Sequence, residues 1–166
     1  MTTTCIPSNY HYQSPFFFSS DRGMSETAAV LHRALERFSR DGSMSFTNDD
    51  SEIFEELEDL LEECSSANWD GYGAEALSLD SYTEAIRFIM ALPKTIPLPE
   101  ATVEPDGEIA FEWFKGPRRI FSVSIGNRNV VTYAGLFSFN KVNGEEYFGD
   151  EIPKTIMDNL ERLFSF

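Results

Sequence analysis

The chain has 166 residues, with 28 acids against 13 bases and a formal charge of −15. That length suits one domain with a buried core and is short for two. The charge excludes generic binding to nucleic acid or to an anionic membrane, because the summed field repels polyanions, and it favours basic partners. A hydrophobic fraction of 42% and fifteen Phe exclude a disordered chain.

No run of about 18 apolar residues is present, so no membrane-spanning helix is expected. Cys5 and Cys64 stand far apart in unlike contexts. Their placement argues against a disulfide framework and fits a reducing cytoplasm.

In chain order, residues 1–22 are rich in Ser, Thr, Tyr and Pro and nearly uncharged. They read as a flexible N-terminal arm whose Phe16-Phe17-Phe18 can dock on the domain or on a partner. Residues 23–166 read as a single domain. Its first helix is expected over Ser25–Ser39, where Ala29, Val30, Leu31, Ala34, Leu35 and Phe38 recur at three and four. His32 flanks that stripe with no second ligand at metal spacing, so it reads as a surface residue. Asp41-Gly42-Ser43 ends the helix.

A second helix is expected over Asp49–Cys64, with Ile53, Phe54, Leu57, Leu60, Leu61 and Cys64 as its apolar stripe. It holds nine acids and no base between Asp49 and Glu63. Glu52/Glu56, Glu55/Asp59, Glu58/Glu62 and Asp59/Glu63 are like-charge pairs, together costing about 1–2 kcal/mol in an isolated helix. A basic partner meeting this face is one explanation for that cost. A merely solvated face of an acidic protein is the other.

Next comes Asn68-Trp69-Asp70-Gly71-Tyr72-Gly73-Ala74. Asn68 and Asp70 favour turns by bonding backbone amides ahead of them. Gly71 and Gly73 permit positive φ. Trp69 and Tyr72 each offer a large ring with a polar tip. The stretch reads either as a joint anchored by Trp69 or as a recognition loop presenting Trp69, Asp70 and Tyr72. It is not a phosphate loop, since no Gly-x-x-x-x-Gly-Lys-Ser/Thr run occurs.

A third helix is expected over Ser78–Ala91, with Ser81 and Glu84 at capping-box spacing. Pro93, Pro97 and Pro99 then enforce an extended lead-in. Ala101–Glu104, Ile109–Phe114, Ile120–Ile125, Val130–Gly135 and Phe137–Val142 alternate as strands with short connections. They form an expected antiparallel meander, with Asn143-Gly144 as a further turn. Pro153 opens a last helix bearing Ile156, Met157, Leu160, Leu163 and Phe164. The expected fold is α+β: a meander of four to five strands packed on one face by about four helices.

Trp69-Asp70-Gly71-Tyr72-Gly73-Ala74, then Leu92-Pro93, then Asp106-Gly107-Glu108-Ile109-Ala110-Phe111-Glu112-Trp113 resembles a family of small uncharacterised bacterial proteins. The likeness spans about residues 65–165. It implies a bacterial origin and this fold, and brings no activity with it.

No catalytic or metal-binding constellation stands out, and no cofactor is expected. The histidines, His11 and His32, have no nucleophile beside them. The leading expectation is a non-enzymatic, cytoplasmic, acidic protein-binding module. It would capture or inhibit a basic partner, as an antitoxin, an immunity protein or a DNA mimic does. Glu52, Glu55, Glu56, Asp59, Glu62 and Glu63, with Trp69, Asp70 and Tyr72, form the expected contact surface. The partner would be a basic protein or a nucleic-acid-binding complex. The alternative is a small hydrolase or ligand-binding protein using Glu104, Asp106, Glu108 and Glu112 of the first hairpin. A third reading is a structural subunit whose arm docks in an oligomer.

Overall fold

The computed structural model describes residues 48–165, so the arm and the helix expected over Ser25–Ser39 lie outside the described residues. Three helices and five strands follow one another as α1 (Asn48–Glu63), α2 (Leu79–Ala91), β1 (Glu100–Val103), β2 (Ile109–Gly116), β3 (Arg119–Ile125), β4 (Val130–Phe137), β5 (Asn140–Tyr147) and α3 (Lys154–Phe164). The strands form one sheet in the order β1-β2-β3-β4-β5, antiparallel throughout. The α+β meander is therefore present with five strands, and three helices are found among the described residues.

Strand alternation builds the core. Ala101, Phe111 and Val123 stand opposite one another across β1–β3, as do Trp113 with Phe121 and Ile109 with Ile125. All of these are buried, so this row is the inner face. Ile53, Leu57, Leu60 and Leu61 of α1, Ile86 and Phe88 of α2, and Ile156, Leu160 and Leu163 of α3 close over it. Phe88 sits at the centre, stacked on Phe111 at 5.7 Å and edge-on to Phe148 at 5.4 Å between ring centroids. The outer row of Glu112, Ser122, Ala134 and Asn143 carries small and polar side chains.

Two expectations need correction. Asn143-Gly144 is not a turn. β4 runs on to Phe137, the chain reverses at Ser138-Phe139 with Ser138 at φ 61°, and Asn143 and Gly144 lie mid-strand in β5. Gly144 is there because the Tyr133 ring lies across it: a Cβ would stand 2.5 Å from the Tyr133 hydroxyl. The capping residue of α2 is Ser78, whose hydroxyl accepts the Ser81 N–H at 3.4 Å. Ser81 is instead buried. Its Oγ accepts the Ile109 N–H at 2.9 Å and donates to the Ile125 carbonyl at 2.5 Å. Ile109 and Ile125 are register partners, so the hydroxyl bridges the ends of β2 and β3.

α3 is closed at its C-terminus by the sheet. Arg119 Nη2 donates to the carbonyls of Leu163 and Ser165, each at 2.5 Å, and Lys115 Nζ donates to that of Phe164 at 2.9 Å. Cations at a helix C-terminus satisfy its orphan carbonyls and oppose its dipole.

Candidate functional site

α1 places its acids by its own period. Ile53, Leu57, Leu60, Leu61 and Cys64 are buried, which turns Glu52, Glu55, Asp59 and Glu62 to solvent in one row. These four recur every three or four residues and span about 15 Å of helix axis. No described cation pairs with any of them. Glu63 is exposed at the end of the same helix.

Glu56 does not belong to that row. It is half-buried, and its Oε1 accepts the Ala101 N–H at 3.2 Å. Burial pushes its carboxyl above the ordinary glutamate range, the Ala101 amide pulls it part of the way back, and Glu100 and Asp59 push it up again. Glu58, which the expected surface omitted, is also raised, first by burial and then by Asp59, Glu62 and Glu55. Its charge in turn adds to the upward push that burial exerts on the buried Tyr82 phenol. The like-charge spacing around Glu58 is visible in the sequence; its proximity to Tyr82 is not.

The Asn68–Ala74 stretch is closed on itself. Asn68, at φ 64°, donates its N–H to the Ala74 carbonyl at 2.7 Å, and its side-chain oxygen accepts the Gly73 N–H at 2.8 Å. Asp70 Oδ1 accepts the N–H of Tyr72 at 2.8 Å and of Ala74 at 3.1 Å. Those amides, Tyr72 first, hold the Asp70 carboxyl below its ordinary value. Gly71 and Gly73 take φ of 75° and 97°, which the turn requires. Trp69 packs against the core and donates Nε1–H to the Glu75 carbonyl at 2.8 Å. Asp70 and Trp69 are thus engaged within the loop, while Tyr72 projects from it with 84% of its surface exposed.

The loop is riveted to the first hairpin. Glu75 N–H donates to the Pro105 carbonyl at 2.8 Å, and Ser78 N–H to the Gly107 carbonyl at 2.9 Å. Gly107 lies directly against the Ala76 carbonyl, leaving no room for a Cβ. Leu77 N–H meanwhile reaches the Cys64 carbonyl at 2.9 Å, so α1, loop and hairpin meet at one end of the sheet.

At that end the Glu104, Asp106 and Glu108 carboxylates lie within 4.8 Å of one another. Burial raises Glu108, and Asp106 and Glu104 raise it further. Glu112 is not of this group: it stands on the outer face of β2, paired across the ladder with Glu100; burial raises its carboxyl, and Glu100 raises it further. The alternative site of four carboxylates is therefore assembled only as to three. No histidine occurs among the described residues, and Cys64 is buried in the core. Among the described residues, these three carboxylates are a close group that acid–base chemistry could use.

On the outer face, Ile120, Ser122, Ala134, Leu136, Lys141 and Asn143 line a shallow trough of about 400 Å³. No helix among the described residues is long and apolar enough to cross a membrane. No family model, no curated protein and no solved structure matches the chain. The functional reading rests on the chain's own residues.

Proposed function

We infer that the protein is a non-enzymatic, cytoplasmic capture module for a basic protein, with the outer face of α1 as its contact surface. The observation that carries this reading is the row Glu52, Glu55, Asp59 and Glu62, exposed along one helix and unpaired with any described cation. Four carboxylates about 5 Å apart along a rigid axis form a regular negative row that suits a groove lined by Lys and Arg. Tyr72 adds an exposed aromatic ring on the loop that follows the helix, the kind of side chain that anchors interfaces. Glu56 is withdrawn from the contact set, because its carboxylate is bound to β1.

Such a surface steers its partner by charge, so association is fast at low salt and slows as salt screens it. The test is capture from an extract of the source organism by immobilised protein. Wild type is compared with the variant in which Glu52, Glu55, Asp59 and Glu62 are all Gln. Recovery of a basic protein by wild type alone, released by moderate salt, supports the reading. Equal recovery by both proteins, or recovery of nothing basic, ends it.

A further inference from the structure

The two edges of the sheet are treated differently. At β1 the edge is closed: the Ala101 N–H, directed away from β2, is taken by Glu56 of α1. At β5 no described element pairs with the outer edge. That strand is eight residues long. An open edge of this length is a template for another strand.

The backbone direction of each β5 residue follows from the register. Phe137 pairs with Asn140 across the two-residue turn, and beyond the strand Phe148 N–H donates to the Asn129 carbonyl at 2.8 Å. Antiparallel ladders alternate, so Asn140, Val142, Gly144 and Glu146 turn their amides to β4. Lys141, Asn143, Glu145 and Tyr147 turn theirs to the open edge. The side chains of these four share the outer face, opposite Leu136, Ala134, Thr132 and Val130.

We propose that β5 is a homodimer seam, pairing antiparallel with β5 of a second copy about a two-fold axis through Asn143. Only residues of like parity can face each other across such a seam, because the pleat must stay in phase. Among the registers that satisfy this, centring on Asn143 sets Lys141 opposite Glu145 of the partner subunit, and does so twice by symmetry. A shift of two residues in the sum either way sets Lys141 against Asn143 or Tyr147 instead, and loses both ion pairs. The same register brings Phe139, 82% exposed, opposite Tyr147 of the partner subunit; Tyr147 is 71% exposed.

On the inner face Val142 meets Gly144 of the partner subunit. There the Tyr133 ring already overhangs the seam. About six new backbone hydrogen bonds form from the residues whose amides point outward. The result is a self-complementary, isologous contact and a continuous ten-stranded sheet.

The acids of α1 do not oppose this arrangement. Each α1 lies along the far edge of its own sheet, so the two β1 strands stand about 43 Å apart at ordinary strand spacing. That is several screening lengths at physiological salt, where one length is about 8 Å. The seam is independent of the partner-capture reading, since it uses none of the α1 acids.

The mass of the full chain in solution, followed by light scattering over a concentration series, tests the seam. Wild type is expected to reach the mass of two chains. Asn143→Pro removes an outward N–H without touching a β4–β5 bond, and is expected to give single chains with an unchanged circular dichroism spectrum. Lys141→Glu replaces two attractions by two repulsions and is expected to weaken dimerisation about tenfold. Adding Glu145→Lys to it is expected to restore wild-type affinity. Single chains at every wild-type concentration overturn the proposal. So does a two-chain mass that neither Asn143→Pro nor Lys141→Glu alters. Should Asn143→Pro fail to fold, the exchange of Lys141 and Glu145 decides by itself.

Discussion

Glu56 Oε1 receives the backbone N–H of Ala101 at 3.2 Å, which joins the middle of the acidic helix to the first strand of the sheet. One member of an apparently uniform acidic face is thereby a structural acceptor. It also explains why β1, only four residues long, is not an open edge.

Substitution at Glu56 separates acceptor from charge. Glu56→Ala is expected to cost about 1–2 kcal/mol, since the outward amide of Ala101 loses its partner. Glu56→Gln keeps an acceptor and removes a carboxylate that burial, Glu100 and Asp59 all disfavour. It is expected to match wild type or exceed it. Urea unfolding of the three proteins measures this, and neither variant should lose partner capture.

The raised carboxyls predict an unusual pH profile. Glu56, Glu58, Glu108 and Glu112 are all shifted upward in the fold. Between the ordinary value and the raised one the folded state binds more protons than the unfolded state. Stability therefore falls as pH rises through that window, and grows as pH falls back through it. Asp70 acts oppositely: its lowered value contributes stability above the ordinary aspartate range, lost as pH falls through the depressed value. Thermal unfolding is expected to peak on the acid side of neutrality. A melting temperature that only declines from pH 7 to pH 5 would contradict this.

Two neighbours on α2 should respond with opposite sign. Ser81→Ala leaves the Ile109 N–H and the Ile125 carbonyl buried without their shared partner. A loss of about 2–3 kcal/mol is expected. The Tyr82 hydroxyl is buried and has no hydrogen-bond partner among the described residues. Tyr82→Phe is expected to be neutral or stabilising by up to about 1 kcal/mol. Denaturant midpoints for both variants give the answer.

The rivet between loop and hairpin is tested at two glycines. Gly71 has positive φ but open space where a Cβ would go. Gly71→Ala is expected to cost about 1 kcal/mol. Gly107 has φ of 81° and the Ala76 carbonyl against it. Gly107→Ala must strain the backbone and also push the loop off the hairpin. A cost of about 3 kcal/mol or more is expected, with increased hydrogen exchange at Glu75 and Ser78.

The exposed Tyr72 ring should be silent in stability. Tyr72→Ser is expected to change unfolding free energy by less than about 0.5 kcal/mol, as exposed positions generally do. Under the proposed function it also lowers capture of the basic partner. A destabilised Tyr72→Ser protein would assign the ring to the fold.

Among the described residues, what the sequence determined by itself were the element types and the charge. Period-3.6 stripes such as Ile53-Leu57-Leu60-Cys64 and period-2 runs such as Phe121-Val123-Ile125 commit the backbone locally, because each must hide one face. The turn residues of Asn68–Gly73 likewise carry their own chemistry, and Asp70 caps amides only two and four positions ahead. The fifth strand was misplaced because Asn143-Gly144 carries the signal of a turn; a glycine chosen to let Tyr133 lie flat looks the same in sequence. Only the tertiary structure decided which acids are free. Glu55 and Glu56 are adjacent and chemically identical, yet one faces water and the other β1. Burial depends on what folds against a residue from 45 positions away, and no local pattern records that. The same holds for Ser81, whose hydroxyl meets partners 28 and 44 residues distant. It holds too for the two sheet edges, whose difference exists only once α1 lies along β1.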